Sequence, residues 1–265
     1  MITMNVLGRK GRLGNQMFQY AMLIGVGDKH GYRVIIDEDI DSKSHNNFSI
    51  RNIFDIKLSH FYHEAGIHTN KKYVEEQFHF DRFFFKKVAD NMDFDGYFQT
   101  EKYFTHCSDL IRKEFTFKND IIEKATTIIS SLNKDRPIVS IHVRRGDYVD
   151  LPNHHPLCSP TYYASAVEYF ENMNPQFIVI SDDIEWCKTN LNIPTAYYTS
   201  NEQGVDMCLL SMSDHNIIAN STFSWWGAWL NNNPDKIVIA PKIWFGPAYS
   251  HFDTTDIYCN NWIQL

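Results

Sequence analysis

The stretch Ile138-Val139-Ser140-Ile141-His142-Val143-Arg144-Arg145-Gly146-Asp147-Tyr148 decides the fold of this chain. It follows Pro137 and opens with a run rich in β-branched residues, which predicts a buried strand over 138–143. Two arginines come directly after this strand. Ligands of open α/β sheets bind at the carboxyl ends of the strands, and guanidinium groups fit phosphate oxygens as planar donor forks. The stretch therefore predicts an α/β fold that binds a phosphate-bearing ligand, a nucleotide above all. A structural ion pair at the strand end is the alternative.

Strands and helices alternate through the rest of the second half of the chain. Ser159 and Pro160 suit the N-cap and the first position of a helix. Further strands are predicted over 177–180, 195–198, 216–219 and 237–240, with helices over 184–191, 206–212 and 222–230. This order is typical of βαβ units in a mostly parallel sheet.

The first half opens with the same pattern. A strand over 5–7, a glycine- and arginine-rich loop over 8–14, a helix over 15–29 and a strand over 33–36 are predicted. A helix over 121–132 is followed by a polar segment that ends in Pro137, which is typical of a linker. We therefore predict two domains, 1–133 and 134–265, with a ligand held in the cleft between them.

Composition narrows the class of protein. The chain has 265 residues, 43% of them hydrophobic, and a net charge of -7, which argues against nucleic-acid binding. No apolar stretch reaches the roughly 18 residues that span a bilayer, and no secretory signal is visible. The five cysteines are widely spaced and form no C-x-x-C pair, which favours a reduced, cytoplasmic protein.

Three further groups of residues are candidates for ligand binding. The loop over 8–14 precedes a helix whose N–H groups and positive dipole end favour an anion, although an ordinary βα turn is equally compatible. A cluster of hydroxyls opens the helix near 221, beside tryptophans that we assign to the core. A carboxylate after the strand over 177–180 would accept hydrogen bonds from guanine or ribose, or cap the next helix. The candidates are Arg12, Gly14, Asn15, Gln16, Ser181, Asp182, Asp183, Ser221, Thr222, Phe223 and Ser224.

No metal site is predicted. D-x-D spacing occurs in 37–39, 39–41 and 93–95, but such spacing arises by chance in a chain with 32 acidic residues. His60, His63 and His68 lack a framework of cysteines or aspartates that would complete a zinc site. We interpret all of these as surface residues.

Five segments, in order along the chain, resemble the bacterial α-1,2-fucosyltransferases, which are inverting enzymes that use GDP-fucose. His142–Tyr148 looks like the family's H-x-R-R-G-D-Y motif. The other four are Gly11–Ala21, Gly96–Phe104, Phe177–Asp183 and Ser221–Leu230. The variable stretches 41–79 and 150–156 are where acceptor choice is expected to differ.

The resemblance implies a GT-B fold, with two Rossmann-like domains facing across a cleft and the nucleotide mainly on the second. It implies transfer of L-fucose from GDP-β-L-fucose to the 2-hydroxyl of a terminal β-galactose on an oligosaccharide or a lipid-linked glycan, without a metal or other cofactor. A cytoplasmic location with peripheral contact to the membrane face fits such acceptors. A transferase for another nucleotide sugar or acceptor class, or a noncatalytic nucleotide-binding protein, is the alternative.

The residues themselves, together with the resemblance, suggest roles within the site. Arg144, on the His142 face of the strand end, is predicted to be the principal ligand of the β-phosphate, with Arg145 beside it. Asp147 is predicted to pair with an arginine. Two candidates remain open for the base that receives the acceptor's proton, His142 and Asp37, since an ordinary histidine titrates near working pH and Asp37 ends a predicted strand. His142 is alternatively a phosphate ligand, and the reaction alternatively needs no side-chain base.

Overall fold

The computed structural model describes residues 1–37, 50–56, 60–62, 69–132 and 135–265. The chain forms two compact units. The first comprises Met1–Lys118 with Phe252–Cys259, and the second comprises Asn119–His251 with Asn260–Leu265. Within the described ranges, no helix has both the length and the apolar character that crossing a membrane requires.

Short parallel strands and one long helix make up most of the first unit. Its strands are Ile2–Thr3 (β1), Ile36–Asp37 (β2), Phe61–Tyr62 (β3), Lys71–Val74 (β4) and Met92–Asp95 (β5). Its helices are Leu13–His30 (α1), Ile50–Ile53 (α2), Phe84–Lys87 (α3) and Ser108–Glu114 (α4). One sheet has the order β1-β5-β4, and β2 pairs with β3, all in parallel.

The predicted βαβ opening is present, with shifted bounds. The first strand is β1 rather than residues 5–7, which form turns. Helix α1 is buried over most of its length up to Val26, and it ends where Gly31 takes the left-handed conformation with φ 67°. A glycine adopts this conformation at no steric cost, so it terminates the helix cleanly.

A distant segment, Phe252–Cys259, completes the first unit. The ring of Phe252 stacks on that of Phe78 with centroids 4.4 Å apart. The Asp256 carboxylate accepts a hydrogen bond of 2.8 Å from the Phe80 N–H and forms an ion pair with Lys102. These contacts attach the segment to residues that precede it by more than 150 positions.

The second unit contains the sheet that the sequence predicts. Its strands are Ile138–Val143 (β6), Gln176–Ser181 (β7), Ala196–Thr199 (β8), His215–Ile217 (β9), Val238–Ala240 (β10) and Ile263–Gln264 (β11). Its helices are Asn119–Ser130 (α5), Pro160–Phe170 (α6), Ile184–Asn190 (α7), Gln203–Met212 (α8) and Thr222–Leu230 (α9). All strands are parallel, in the order β11-β10-β9-β6-β7-β8. The Ser159 hydroxyl caps α6 by accepting from the Tyr162 N–H at 3.1 Å.

The register of β6 and β7 positions the arginine motif. Val143 lies beside Ser181, so the residues that follow both strands emerge at the same edge of the sheet. Every residue of β6 is buried. Arg144–Arg145 and Asp182–Asp183 therefore leave the core side by side.

The tryptophans of α9 belong to the core, as predicted. Trp225 and Trp226 are almost completely buried, and their ring centroids lie 5.0 Å apart. Trp226 also contacts Trp229 at 5.2 Å. A Cβ on Gly227 would lie 2.5 Å from the Leu210 Cβ, so glycine is what lets α9 approach α8 this closely.

In the structure, the boundary between the units falls at 118/119, whereas the sequence predicted it at 133/134. Helix α5 buries Ile121 and Ala125 and packs against α8, so it belongs to the second unit. The polar segment before Pro137 connects two elements of that unit and is not a linker. Polar composition alone cannot distinguish an inter-domain linker from an exposed loop.

Candidate functional site

Arg144 is held by two carboxylates just beyond the end of β6. Its Nη1 donates to Asp182 Oδ2 at 2.6 Å, and its Nη2 donates to Asp147 Oδ1. Its guanidinium carbon lies 5.3 Å from the centroid of the Tyr148 ring. These contacts use two of the five N–H donors of the guanidinium, and among the described residues it has no other hydrogen-bond partner.

The backbone of Arg145 shares Asp182 with Arg144, but its side chain has different partners. Its backbone N–H donates to Asp182 Oδ1 at 2.9 Å, and its Nε donates to Asp183 Oδ2 at 2.9 Å. The guanidinium carbon lies 3.9 Å from the centroid of the Trp186 ring, a cation–π contact. Trp186 was not among the residues predicted from the sequence. The available signal was an aromatic residue in the first turn of the helix that Asp183 caps.

Gly146 is required by this arrangement. A Cβ at this position would lie 2.6 Å from Asp182 Oδ2. Any larger residue would displace the carboxylate that binds Arg144. The R-R-G-D sequence therefore encodes one packed cluster of charges at the strand end.

Ion pairs form at the end of β6, as in the alternative that the sequence left open. Two guanidinium groups face the three carboxylates of Asp147, Asp182 and Asp183, so the arginines do not need a bound anion to offset their burial. Both oxygens of Asp182 accept from the arginines, and Asp183 Oδ1 accepts from the Trp186 N–H at 3.2 Å. The hydrogen bond from Arg145 lowers the pKa of Asp183 below its ordinary value. The carboxylates thus orient the arginines, and their predicted contact with guanine stays a prediction.

His142 is unsuited to the predicted role of base. The side chain is 6% exposed, and its ring centroid lies 5.3 Å from that of Phe223. Burial and the charge of Arg144 lower its pKa from 6.5 to about 3. An imidazole with this pKa is neutral at working pH and holds a proton too weakly to receive one from a hydroxyl. Its Nδ1 is buried without a partner in the described part of the chain, which leaves the role of diphosphate ligand open.

The serine candidates are mostly occupied by local hydrogen bonds. Ser181 Oγ accepts from the Asp183 N–H at 2.9 Å. Ser224 is fully buried, and its hydroxyl lies within 3.2 Å of the Ser221 carbonyl. Ser221 occupies the N-cap of α9 but makes no side-chain capping bond, while Thr222 and Phe223 are partly buried in the first turn.

The remaining candidates lie in the first unit. Arg12 is the N-cap residue of α1 and is exposed, and Gly14 and Gln16 are buried in the first turn. Asn15 Oδ1 accepts from Gln99 Nε2 at 2.8 Å. Asp37 ends β2, and its role as a base stays a prediction.

One of the acidic motifs differs from its surface interpretation. Asp93 is 8% exposed and accepts from the Asn5 N–H at 2.9 Å, and Asp95 pairs with Lys10 and Lys72. The motifs over 37–41, together with His63 and His68, lie wholly or partly outside the described residues.

Several known proteins are similar to this chain. An α-1,2-colitosyltransferase of Escherichia coli is 32% identical over 96% of both chains. The O-antigen biosynthesis glycosyltransferase WbnK of Escherichia coli is 29% identical over 96% of this chain and 98% of its own length. Galactoside α-(1,2)-fucosyltransferase 1 of Rattus norvegicus is 28% identical over 83% of this chain and 61% of its own length.

Solved structures of two fucosyltransferases share the fold. NodZ α-1,6-fucosyltransferase soaked with GDP-fucose superposes with a TM-score of 0.55 at 13% identity, covering 86% of this chain and 92% of its own. The structure of POFUT1 in complex with GDP-fucose superposes with a TM-score of 0.55 at 13% identity, covering 89% of this chain and 95% of its own. With the two parallel α/β units, these similarities confirm the predicted GT-B class. The sequence profile described as Glycosyl transferase family 11 matches residues 1–265, so this chain belongs to that glycosyltransferase family.

Proposed function

We propose that the protein transfers L-fucose from GDP-β-L-fucose to the 2-hydroxyl of a terminal β-galactose, forming an α-1,2 linkage. The observation that carries the proposal is the match to family 11 along the whole chain, with galactoside α-1,2-fucosyltransferases among its relatives. A β-linked donor and an α-linked product require inversion at C1. A single displacement, with the hydroxyl and GDP on opposite faces of the sugar, achieves this.

Arg144 is the residue that we assign to the leaving group. The transition state resembles an oxocarbenium ion, and negative charge develops on the β-phosphate as the C1–O bond breaks. Asp147 and Asp182 hold the guanidinium in place and leave three of its N–H donors for phosphate oxygens. Donors fixed before the reaction stabilise developing charge without reorganising. Arg145, fixed by Asp183 and Trp186, is the second donor in this proposal.

A panel of donors and acceptors tests the proposed function. GDP-fucose, GDP-mannose, UDP-galactose and ADP-glucose are each incubated with lactose and with methyl β-galactoside, and the product linkage is determined by NMR. We expect transfer from GDP-fucose alone, at the galactose 2-hydroxyl. Transfer from GDP-mannose, UDP-galactose or ADP-glucose, or to another position of the galactoside, would contradict the proposal.

The similarity to the α-1,2-colitosyltransferase of Escherichia coli favours a second candidate donor. A colitosyltransferase is 32% identical to this chain over nearly its whole length. Colitose differs from fucose only in lacking the hydroxyl at C3, so a site for one sugar is close in shape to a site for the other. GDP-colitose therefore belongs in the donor panel, and the ratio of kcat/KM for the two donors assigns the natural one.

Metal independence is part of the proposed function. We expect activity to survive chelation with EDTA, because the arginines supply donors to the diphosphate that a cation would otherwise supply. In the described part of the chain, Asp28, His106 and Cys107 bring three ligand atoms together, but they belong to the first unit, whereas the arginines assigned to the diphosphate belong to the second. Initial rates with EDTA, and with EDTA followed by Mn²⁺, measure the effect. A rate abolished by EDTA and restored by Mn²⁺ would contradict the prediction.

A comparison of nucleotides separates the two interpretations of Asp182 and Asp183. If the Asp183 carboxylate acts only by orienting Arg145, we expect Asp183→Asn to weaken the binding of GDP and of ADP by a similar factor, about tenfold or less. Calorimetric titration of both nucleotides measures this, with Asp235→Asn on an exposed turn as the control. A loss confined to GDP would instead support the contact with guanine.

The proposed partners and location follow from the substrates. GDP-fucose and a galactose-terminated oligosaccharide or lipid-linked glycan are the proposed ligands, and a cytoplasmic enzyme in peripheral contact with the membrane would meet a lipid-linked acceptor. All five cysteines are free thiols, which supports a reducing compartment. Fractionation of cells at low and high salt tests this proposal.

A further inference from the structure

A carboxylate that the proposed mechanism has not used lies at the carboxyl edge of the first unit's sheet. Glu75 directly follows β4, and Gly96 directly follows the neighbouring strand β5. The Glu75 N–H donates to the Asp95 carbonyl at 2.8 Å, which continues the pairing of the two strands. Glu75 thus occupies the kind of position where α/β sheets bind their ligands.

The backbone after β5 is shaped around this carboxylate. Glu75 Oε2 accepts from the Tyr97 N–H at 2.6 Å, and both of its oxygens lie 3.0 Å from the Phe98 nitrogen. A Cβ on Gly96 would lie 2.5 Å from the Glu75 Cβ, so a larger residue would push the side chain away. Phe98 has a φ of 53°, a left-handed conformation that is rare for a bulky residue and typical of functional sites.

Glu75 also lines a cavity of about 760 Å³ within the first unit. This volume is in the range of small-ligand sites and is large enough for a disaccharide. Aromatic side chains of Tyr73, Phe80, Phe83 and Tyr103 line it, together with charged side chains. Phe83 is 45% exposed, which leaves its ring accessible to a ligand. Aromatic rings that pack on the apolar face of a sugar, beside carboxylates that bind its hydroxyls, form a typical carbohydrate site.

We propose that this cavity binds the galactoside acceptor and that Glu75 is the catalytic base that receives the proton of its attacking hydroxyl. The inference rests on the proposed function and names the acceptor site and the base. The hydroxyl oxygen forms the new bond to C1 of fucose, and its proton moves to a Glu75 oxygen. The bond between C1 and the phosphate oxygen breaks, and its electron pair leaves with GDP.

The electrostatic surroundings of Glu75 suit this role. Burial raises its pKa from 4.5 to about 7, although the N–H groups of Tyr97 and Phe98 and the charge of Lys10 act in the opposite direction. The phenols of Tyr73 and Tyr103 also face the carboxylate. A base with a pKa near the operating pH combines a useful fraction of the ionised form with adequate basicity.

Glu75→Gln is the decisive variant, and Glu123→Gln on the exposed face of α5 is its matched control. The wild type is assayed first with GDP-fucose, GDP-colitose and lactose, because failure to transfer either sugar would contradict the proposed function rather than the role of Glu75. With the donor that is used, we expect Glu75→Gln to lower kcat by about 10²- to 10³-fold. The dissociation constant of GDP and the melting temperature should stay near the wild-type values.

The pH dependence separates a catalytic from a structural role. A base acts only when deprotonated, so wild-type kcat should rise with pH through about 7 and then level off. This acidic limb should disappear in Glu75→Gln and persist in Glu75→Asp, which retains a carboxylate. A limb that persists in Glu75→Gln, or a kcat within threefold of the wild type, would overturn the proposal. Loss of the limb in Asp37→Asn, with its retention in Glu75→Gln, would assign the base to Asp37.

The cavity itself is tested without donor or turnover. Saturation-transfer NMR with methyl β-galactoside should show contact with the wild type, weakened about 2- to 10-fold by Phe83→Ala, whose side chain is exposed and contributes little to the core. An unchanged NMR signal and an unchanged KM for lactose in Phe83→Ala would show that the acceptor binds elsewhere.

Discussion

Arg144→Ala is expected to lower kcat by about 10²- to 10³-fold, because it removes a fixed donor to the charge that develops on the departing GDP. The substitution also leaves Asp147 and Asp182 without the guanidinium that each of them binds. Arg144→Lys should be nearly as poor, since one ammonium group cannot serve two carboxylates and a phosphate in the geometry of a planar fork. Steady-state rates of GDP release measure both variants.

Arg136→Ala is the matched control for this prediction. Arg136 precedes β6 at the opposite end of the strand from Arg144, and it donates to the carbonyls of Asn174 and Pro175. Its loss removes the same side chain from the same sheet without touching the arginine–carboxylate cluster. A folded Arg144→Ala protein that retains more than about a tenth of wild-type turnover would contradict the role of Arg144 as the principal phosphate ligand.

Trp226→Ala is expected to lower the free energy of unfolding by about 3–5 kcal/mol, the usual cost of truncating a fully buried aromatic side chain. Trp226 has no exposed surface and packs between Trp225 and Trp229. The helix around it cannot collapse into the space because α8 already contacts Gly227 closely. Urea unfolding, monitored by circular dichroism, gives the difference.

Trp226→Phe provides the comparison for that measurement. It retains an aromatic ring and most of the buried apolar surface, so it should cost less than half as much as Trp226→Ala. A loss below about 1 kcal/mol for the alanine variant would show that the tryptophan cluster is not a principal part of the core.

The second unit was largely predictable from sequence because its central strands, β6, β7, β9 and β10, are buried on both faces. Such strands are continuous apolar runs, and β6 has the bounds that its sequence predicts. The first strand was predicted at residues 5–7, beginning three residues after the start of the actual strand β1. Strand β1 has only two residues, which are too few to establish a periodicity. The pairing of Asp147 with an arginine followed from charge alone, whereas the choice between Asp182 and Asp183 as partners of Arg144 depended on the register of β6 and β7.

Glu75 could not be predicted, since what distinguishes it is backbone geometry. In the sequence it is one of two adjacent glutamates after a short, mostly exposed strand. The N–H groups that converge on it belong to residues more than 20 positions away, and the left-handed Phe98 leaves no compositional signal. His142 was a candidate base in the sequence, and its surroundings in the folded protein argue against that role. Its ordinary pKa suits a base, but three-dimensional burial removes that property.

The segment Phe252–Cys259 has a consequence for how the protein is made. A ribosome delivers the chain from the amino terminus, yet the first unit lacks Phe252 and Asp256 until after nearly all of the second unit has emerged. Until then the Phe80 N–H and Lys102 have no Asp256 to bind, and Phe78 has no stacking partner from this segment. The first unit is therefore begun first but stays incomplete until Cys259 has been added, shortly before Asn260–Leu265 completes the second unit. A partly folded unit of this kind exposes apolar surface of the type that chaperones bind during translation.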